Sequence, residues 1–265
     1  MSRIRLVALD VDGTLLDYDG AVSIPARDAV AALVAAGIHV VLATGRSLPA
    51  AVEAADIVGL TDAWMVCSNG TVVARLDPEL DGGYELVSVT TFDPAPAVRA
   101  IALEMPHALF AVEKLGVGFL VSGDFPVGEL AGEVEVVPFD DLLASPVTRV
   151  VIRSPKSTPE EFDELVERVG LHEVSYAVGW SAWLDLTPGG VSKASALEEV
   201  RRRLGVEPFE TMAVGDGGND AEMLAWAARG VAMGHAPAAL RAVADEVTGT
   251  IDDDGVVAVL RSVLA

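Results

Sequence analysis

The chain is poor in cysteine, aromatic residues and basic residues. Its 265 residues include one cysteine, 5% aromatic residues and 18 lysines and arginines, against 40 aspartates and glutamates. The single cysteine, Cys67, cannot form an internal disulfide, which favours a reducing compartment. The formal net charge of −22 repels phosphate backbones at long range, which argues against nucleic acid as a partner.

Long uninterrupted apolar runs are also absent. The apolar stretch near the amino terminus is broken by Asp10 and Asp12, and the Ala/Val-rich residues 29–43 are broken by Gly37 and His39. Neither stretch reaches the roughly 20 apolar residues that a bilayer span needs. We therefore expect a soluble, cytoplasmic protein without a membrane partner.

Apolar runs alternate with amphipathic segments in the first third and the last third of the chain, which is 51% hydrophobic. The runs predict strands at residues 4–9, 38–43, 64–67 and 211–215. The intervening segments predict helices at residues 25–36 and 47–58, and later at 192–204. Strand and helix in alternation are typical of a doubly wound parallel sheet in an α/β protein.

The middle of the chain has a different pattern, with shorter, turn-rich strands. Its elements follow the order β-α-β-β twice, first over residues 84–121 and then over residues 147–186. The Pro/Gly-rich residues 123–145 between the two units are expected to be irregular. This pattern predicts an inserted α+β domain at residues 83–186, with a core built from residues 1–82 and 187–265.

Two aspartates, Asp10 and Asp12, directly follow the first predicted strand. If the strand geometry continues, both carboxylates face the same side, and Gly13 then allows a sharp turn. Ligands of open parallel sheets bind outside these strand ends, and a divalent metal is a natural partner for paired acids. A solvated Asp-Gly turn that merely ends the strand is the alternative.

Other polar groups are predicted at the same edge of the sheet. Thr44 and Gly45 follow the second strand, where a hydroxyl and backbone N–H groups can cradle a phosphate. The acidic segment at residues 215–220, GDGGND, follows the strand at 211–215. Lys193 lies at the start of a helix, a position that suits a cation only if an anion is nearby. Each motif alone also fits a helix cap, a tight turn or a solvated lysine.

Taken together, these motifs resemble the haloacid dehalogenase superfamily of phosphatases, and within it the Cof-type branch, subfamily IIB. The motifs that carry the resemblance are DVDGTLL at 10–16, ATGR at 43–46, SNG at 68–70, PGGVSK at 188–193 and GDGGNDAEML at 215–224. The segments MGHA at 233–236 and DDGV at 253–256 are also similar, although His235 stands where the branch often has Asn. The resemblance implies a Rossmann-like core with an inserted cap domain that sets the substrate.

The resemblance also implies a role for each site residue. Asp10 would be the nucleophile that forms an aspartyl-phosphate, and Asp12 the general acid and base. Mg²⁺ would be held by the Asp10 carboxylate, the main-chain carbonyl of Asp12 and Asp216. The residues implied to bind the phosphoryl group are Thr44, Gly45, Lys193 and Asn219. Asp220 would steady Lys193 or a metal-bound water.

The expected activity is hydrolysis of a small phosphorylated metabolite. Three alternatives stay open: a phosphomutase or phosphotransferase with the same chemistry, a non-catalytic phosphate-binding protein on the same scaffold, and an acidic interaction module. The sequence predicts neither the substrate nor the oligomeric state, and it leaves open whether Arg46 contacts substrate or pairs with an acid.

Overall fold

The structure is a computed structural model that describes residues 4–155, 157–169, 174–178 and 183–264. Its strands are β1 (Leu6–Leu9), β2 (His39–Ala43), β3 (Trp64–Cys67), β4 (Val72–Leu76), β5 (Tyr84–Val89), β6 (Leu109–Lys114), β7 (Gly118–Val121), β8 (Glu133–Val136), β9 (Val150–Arg153), β10 (Val174–Val178), β11 (Trp183–Pro188), β12 (Thr211–Gly215), β13 (Arg229–Ala232) and β14 (Glu246–Val247). Its α-helices are α1 (Ile24–Ala35), α2 (Leu48–Val58), α3 (Ala95–Glu104), α4 (Phe139–Leu142), α5 (Pro159–Val169), α6 (Lys193–Arg203), α7 (Ala221–Trp226), α8 (Ala238–Val243) and α9 (Gly255–Leu264).

Eight strands form the core sheet in the order β14-β13-β12-β1-β2-β3-β4-β5. From β14 to β3 all neighbours are parallel, and β4 runs antiparallel to β3. All four residues of β1 are fully buried, as expected for a strand covered on both faces. The prediction of a doubly wound parallel sheet is confirmed, with the first strand of the chain in its middle.

The second sheet has the order β10-β11-β9-β6-β7-β8. Helices α3 and α5 contribute Val98, Ile101, Phe162 and Leu165 to an apolar cluster on this sheet. A smaller cluster of strand residues, among them Phe119 and Val151, is separate from it. Strands and helices of this part therefore form their own α+β core.

Three features of the middle segment differ from the predictions. The strand expected to open the first β-α-β-β unit, β5, lies in the core sheet beside β4, and the sequence analysis did not predict β4. The exposure of β5 does not alternate regularly along the strand, so its pattern does not reveal which sheet the strand joins. The segment expected to be irregular contains β8 and α4.

The chain divides into two compact units. The first comprises Met1–Arg46, Ala51–Ser88 and Ser192–Ala265, and the second Ser47–Ala50 and Val89–Val191. Within the described residues, each helix is too short or too polar to cross a membrane.

Candidate active site

The predicted site residues lie in loops that follow adjacent parallel strands of the core sheet. Asp216 directly follows β12, Asp10 follows β1, and Thr44 follows β2. Because neighbouring parallel strands end at the same edge, these loops lie side by side where open α/β sheets bind ligands. All the residues discussed in this section belong to the first compact unit.

Lys193, the first residue of α6, is buried between two carboxylates. Its Nζ donates hydrogen bonds to Asp10 Oδ1 and to Asp220 Oδ1, both at 2.7 Å, and its side chain is fully buried. Burial alone would lower the pKa of Lys193, but the charges of Asp10 and Asp220 raise that pKa above its ordinary value. The lysine is therefore a fixed cation beside Asp10.

Three carboxylates surround this lysine. Asp10, Asp216 and Asp220 each offer an oxygen within 4.8 Å of the others, and all three residues are buried. Burial raises the pKa of Asp10 well above its ordinary value, and the charge of Asp220 adds to the effect. The same two causes raise the pKa of Asp216. One lysine does not balance three carboxylates, so the oxygen-rich cluster suits a hard divalent cation such as Mg²⁺.

The loop after β1 lies directly against Asp216. Thr14 Oγ1 donates to Asp216 Oδ1 at 3.3 Å. Gly13 has a φ of +78°, and a Cβ at this position would overlap the Asp216 carboxylate. A residue without a side chain is therefore required here both for the backbone conformation and for the close approach.

Asp220 is held by its own loop as well as by Lys193. Its Oδ2 accepts hydrogen bonds from the backbone N–H groups of Asp216, at 3.0 Å, and Gly217, at 2.9 Å. Because Oδ1 accepts from Lys193, both oxygens of Asp220 already have donors. Asp220 therefore fixes the lysine and the Asp216 backbone relative to each other.

Thr44, Gly45 and Asn219 are brought together through Asn69. Asn219 Nδ2 donates to Asn69 Oδ1 at 2.9 Å, and the backbone N–H of Asn69 donates to the carbonyl of Thr44 at 3.1 Å. A Cβ at Gly45 would lie 3.2 Å from Asn69 Oδ1. The buried Thr44 Oγ1 accepts from the backbone N–H of Arg46 at 3.0 Å, which leaves its own proton available as a donor.

Asp12 has a different partner from Asp10. Its carboxylate accepts from Arg46 Nη2 at 2.6 Å and from Arg46 Nε at 3.0 Å, and its side chain is 54% exposed. Asp10 and Asp12 were expected to face the same side only if the strand continued through them. Strand β1 ends at Leu9, so that condition is not met. Arg46 therefore has one of the two roles left open for it, because it pairs with an acid.

Three contributors to this site received no role from the sequence: Thr14, Asn69 and Arg46. Thr14 and Asn69 do lie within the motifs DVDGTLL and SNG, so their positions were marked although their partners were not. Thr14 binds a residue 202 positions away and Asn69 binds one 150 positions away, which local sequence patterns do not reveal.

Comparison with known proteins agrees with this geometry. The family model for haloacid dehalogenase-like hydrolases matches residues 7–95 and 129–260. Because the match covers most of the chain, the chain belongs to the haloacid dehalogenase-like hydrolases. The resemblance carried by the motifs is confirmed.

Similar proteins cover nearly the whole chain. The phosphoglycolate phosphatase of Methanoculleus marisnigri is 30% identical over 97% of this chain and 96% of its own length. The 5-amino-6-(5-phospho-D-ribitylamino)uracil phosphatase YcsE of Bacillus subtilis is 26% identical over 97% of this chain and 95% of its own. The solved structure of the phosphatase BT1666 from Bacteroides thetaiotaomicron has a TM-score of 0.80 and 28% identity, covering 98% of this chain and 95% of that one. The prediction of a phosphatase of this family is confirmed.

Proposed function

We propose that this protein is a Mg²⁺-dependent phosphatase that hydrolyses a small phosphorylated metabolite through an aspartyl-phosphate on Asp10. The observation that carries the proposal is the buried pairing of Asp10 with Lys193 in a cluster with Asp216 and Asp220. Burying several carboxylates around one lysine is costly, and the stability of the fold does not require so many acids there. The names of two relatives, both phosphatases of small phosphate esters, support the substrate class.

In the first step, an oxygen of Asp10 attacks the phosphorus atom, and the bond from phosphorus to the ester oxygen breaks. Lys193 lies 2.7 Å from Asp10 Oδ1, so its charge would offset that of the incoming phosphoryl group. Thr44, Gly45 and Asn219 would donate hydrogen bonds to the phosphoryl oxygens. These donors orient the phosphorus for in-line attack.

Asp12 would give its proton to the departing ester oxygen. In the second step a water oxygen attacks the phosphorus of the aspartyl-phosphate, Asp12 accepts the water proton, and the bond to Asp10 breaks to release inorganic phosphate. Its exposed position suits a group that exchanges protons, because it is not locked among the buried acids. The bidentate contact with Arg46 is made by the ionised carboxylate, so part of that contact must be given up when Asp12 is protonated. Arg46 would orient Asp12 between the two steps.

The residues that would hold Mg²⁺ are Asp10 and Asp216, through their carboxylates, and Asp12, through its main-chain carbonyl. When bound, the ion supplies positive charge that stabilises the phosphoryl group during transfer. Asp220 would act indirectly, because three donors, Lys193 and the backbone N–H groups of Asp216 and Gly217, fix its carboxylate within its own loop. We further propose that the second compact unit, which includes Val89–Val191, selects the substrate, and that the protein works in the cytoplasm.

The test is release of inorganic phosphate from a panel of phosphorylated metabolites with Mg²⁺ present. We expect turnover of at least one compound, loss with EDTA and recovery with added Mg²⁺. The variant Asp10→Asn should lose activity by ~10³-fold or more without unfolding. Asp19→Asn is the matched control, because Asp19 is an exposed acid of the same loop.

Two results would contradict the proposal. If Asp10→Asn retained most of the activity, Asp10 would not be the nucleophile. If the phosphoryl group moved to a second hydroxyl without release of phosphate, the protein would be a phosphotransferase.

A further inference from the structure

His235 lies beside Asp216 in the segment that follows β13. Its Nε2 is 3.4 Å from Asp216 Oδ2, and its side chain is 19% exposed. The ring of Tyr18, from the loop after β1, meets the imidazole edge to face with ring centroids 6.4 Å apart. The sequence motif marked this position only because the family branch often has Asn there.

The backbone of Ile251 assigns the tautomer of this histidine. The N–H of Ile251 donates to His235 Nδ1 at 3.2 Å, so Nδ1 must carry the lone pair. In the neutral imidazole the proton is then on Nε2, which faces Asp216. An Nε2 that carries a proton has no lone pair for a metal ion, so His235 is a donor toward Asp216 and not a further metal ligand.

Burial makes this donor significant. His235 Nε2 is buried, and among the described residues no acceptor meets hydrogen-bond geometry with it. A buried N–H without an acceptor is unfavourable, and Asp216 Oδ2 is the carboxylate oxygen within reach after a small adjustment. The other oxygen, Oδ1, already accepts from Thr14 Oγ1.

We propose that His235 is a positioning residue for the metal site. In this role its Nε2–H and the Thr14 hydroxyl each donate to one oxygen of Asp216. The two donors fix the orientation of the carboxylate before Mg²⁺ binds. This inference rests on the proposed function, because it assumes that Asp216 binds Mg²⁺. Partners that orient a ligand in this way typically change metal affinity by about 10- to 100-fold.

Two substitutions separate the two contacts of the imidazole. His235→Asn places an amide oxygen near the position of Nδ1, so it keeps an acceptor for Ile251 but does not reach Asp216. His235→Gln places an amide nitrogen near the position of Nε2, so it keeps a donor for Asp216 but loses the acceptor for Ile251. The two variants therefore have opposite defects.

The experiment is calorimetric titration of each substrate-free protein with MgCl₂, together with thermal unfolding in EDTA. We expect His235→Asn to bind Mg²⁺ about 10-fold more weakly than the wild type with little change in the metal-free unfolding midpoint. His235→Gln should bind Mg²⁺ nearly as the wild type does, although its metal-free midpoint falls. At saturating Mg²⁺ the kcat of His235→Asn should recover, because the defect is in affinity.

The outcomes that overturn the inference differ from those that overturn the function. Equal Mg²⁺ affinity in the wild type and His235→Asn would overturn the role of His235 alone. So would a loss of affinity confined to His235→Gln, since it would assign the effect to the Ile251 contact. Absence of Mg²⁺ binding by the wild type would overturn the proposed metal site and this inference with it.

Discussion

Two glycines in the loop after β1, Gly13 and Gly20, adopt the same left-handed backbone in different surroundings. Their φ values are +78° and +80°. A Cβ on Gly13 would overlap the carboxylate of Asp216, whereas a Cβ on Gly20 would meet no described atom within 4 Å. Substitutions at the two glycines therefore separate the effect of the left-handed backbone from the effect of a side chain that overlaps Asp216.

Replacing each glycine by alanine tests this difference. Both Gly13→Ala and Gly20→Ala should lower the free energy of unfolding by about 1–2 kcal/mol, because alanine disfavours the left-handed conformation. Only Gly13→Ala should displace Asp216, and we expect it to lower kcat/KM by ~10²-fold and to abolish measurable Mg²⁺ binding. Steady-state kinetics and calorimetry check this expectation, and equal losses in the two variants would contradict it.

The buried acids also predict a proton linkage. Burial, with the charge of Asp220, raises the pKa of Asp10 above its ordinary value of 3.8, so the folded, metal-free protein favours protonated Asp10 over a pH range above 3.8. The contribution of Asp10 to the stability of the metal-free protein is therefore present below that value and is lost as pH rises through the raised pKa.

Mg²⁺ requires the ionised carboxylate, so its binding should release protons and tighten as pH rises through that range. Calorimetry at one pH in two buffers of different ionisation enthalpy measures the number of protons released. An observed enthalpy independent of the buffer would show that Asp10 is already ionised in the metal-free protein.

At the scale of elements, the start of helix α6 determines the position of Lys193 in the site. The side chain of Ser192 caps the helix by accepting from the backbone N–H of Ser195, and Gly70 packs against the Ser192 carbonyl. Gly70 has a φ of +106°, and a Cβ there would overlap that carbonyl oxygen. The turn after β3 therefore sets where α6 begins.

We expect Gly70→Ala to shift the start of α6, withdraw Lys193 from Asp10 and lower kcat by ~10²-fold. Gly205, just after the other end of the helix, is the matched control, since it has a φ of +62° and no described atom within 4 Å of a Cβ. Thermal unfolding of both variants shows whether the effect is local. Similar kcat values for the two variants would show that Gly70 does not set the position of Lys193.

Four parallel strands of the core sheet were predictable, because each is a largely buried apolar run that differs in composition from the segments around it. The strands β1, β2, β3 and β12 were predicted, with boundaries displaced by two residues or fewer. The pattern also predicted a helix from residue 192, and Ser192 is the N-cap of α6. Strand positions and helix caps depend on neighbouring residues, so the local sequence indicates them.

Pairing between distant segments was not predictable. The sequence analysis assigned β5 to the inserted domain, because periodicity indicates a strand but not its neighbour. The sequence also did not indicate which acid pairs with Arg46, or that His235 lies beside Asp216, because each partner lies on another loop of the sheet edge.

On the scale of the whole molecule, the net charge of −22 opposes an anionic substrate. Added salt shortens the screening length from about 30 Å at 0.01 M to about 8 Å at 0.15 M and so weakens this repulsion. We expect kcat/KM for a phosphomonoester to rise about twofold to tenfold over this range at saturating Mg²⁺. A series in NaCl repeated in KCl excludes an effect of one ion, and a fall with added salt would show that attraction by the site itself dominates.

The central strands β1 and β12 are neighbours in the sheet although they come from opposite ends of the chain, and Lys193 reaches Asp10 across 183 positions. During synthesis, β1 leaves the ribosome long before β12 exists, and of its two neighbours in the sheet only β2 is then present. The nascent chain then carries Asp10 without its lysine or Asp216. A chain that ends between Leu16 and Lys193 would thus contain the complete amino-terminal motif but neither the lysine nor Asp216.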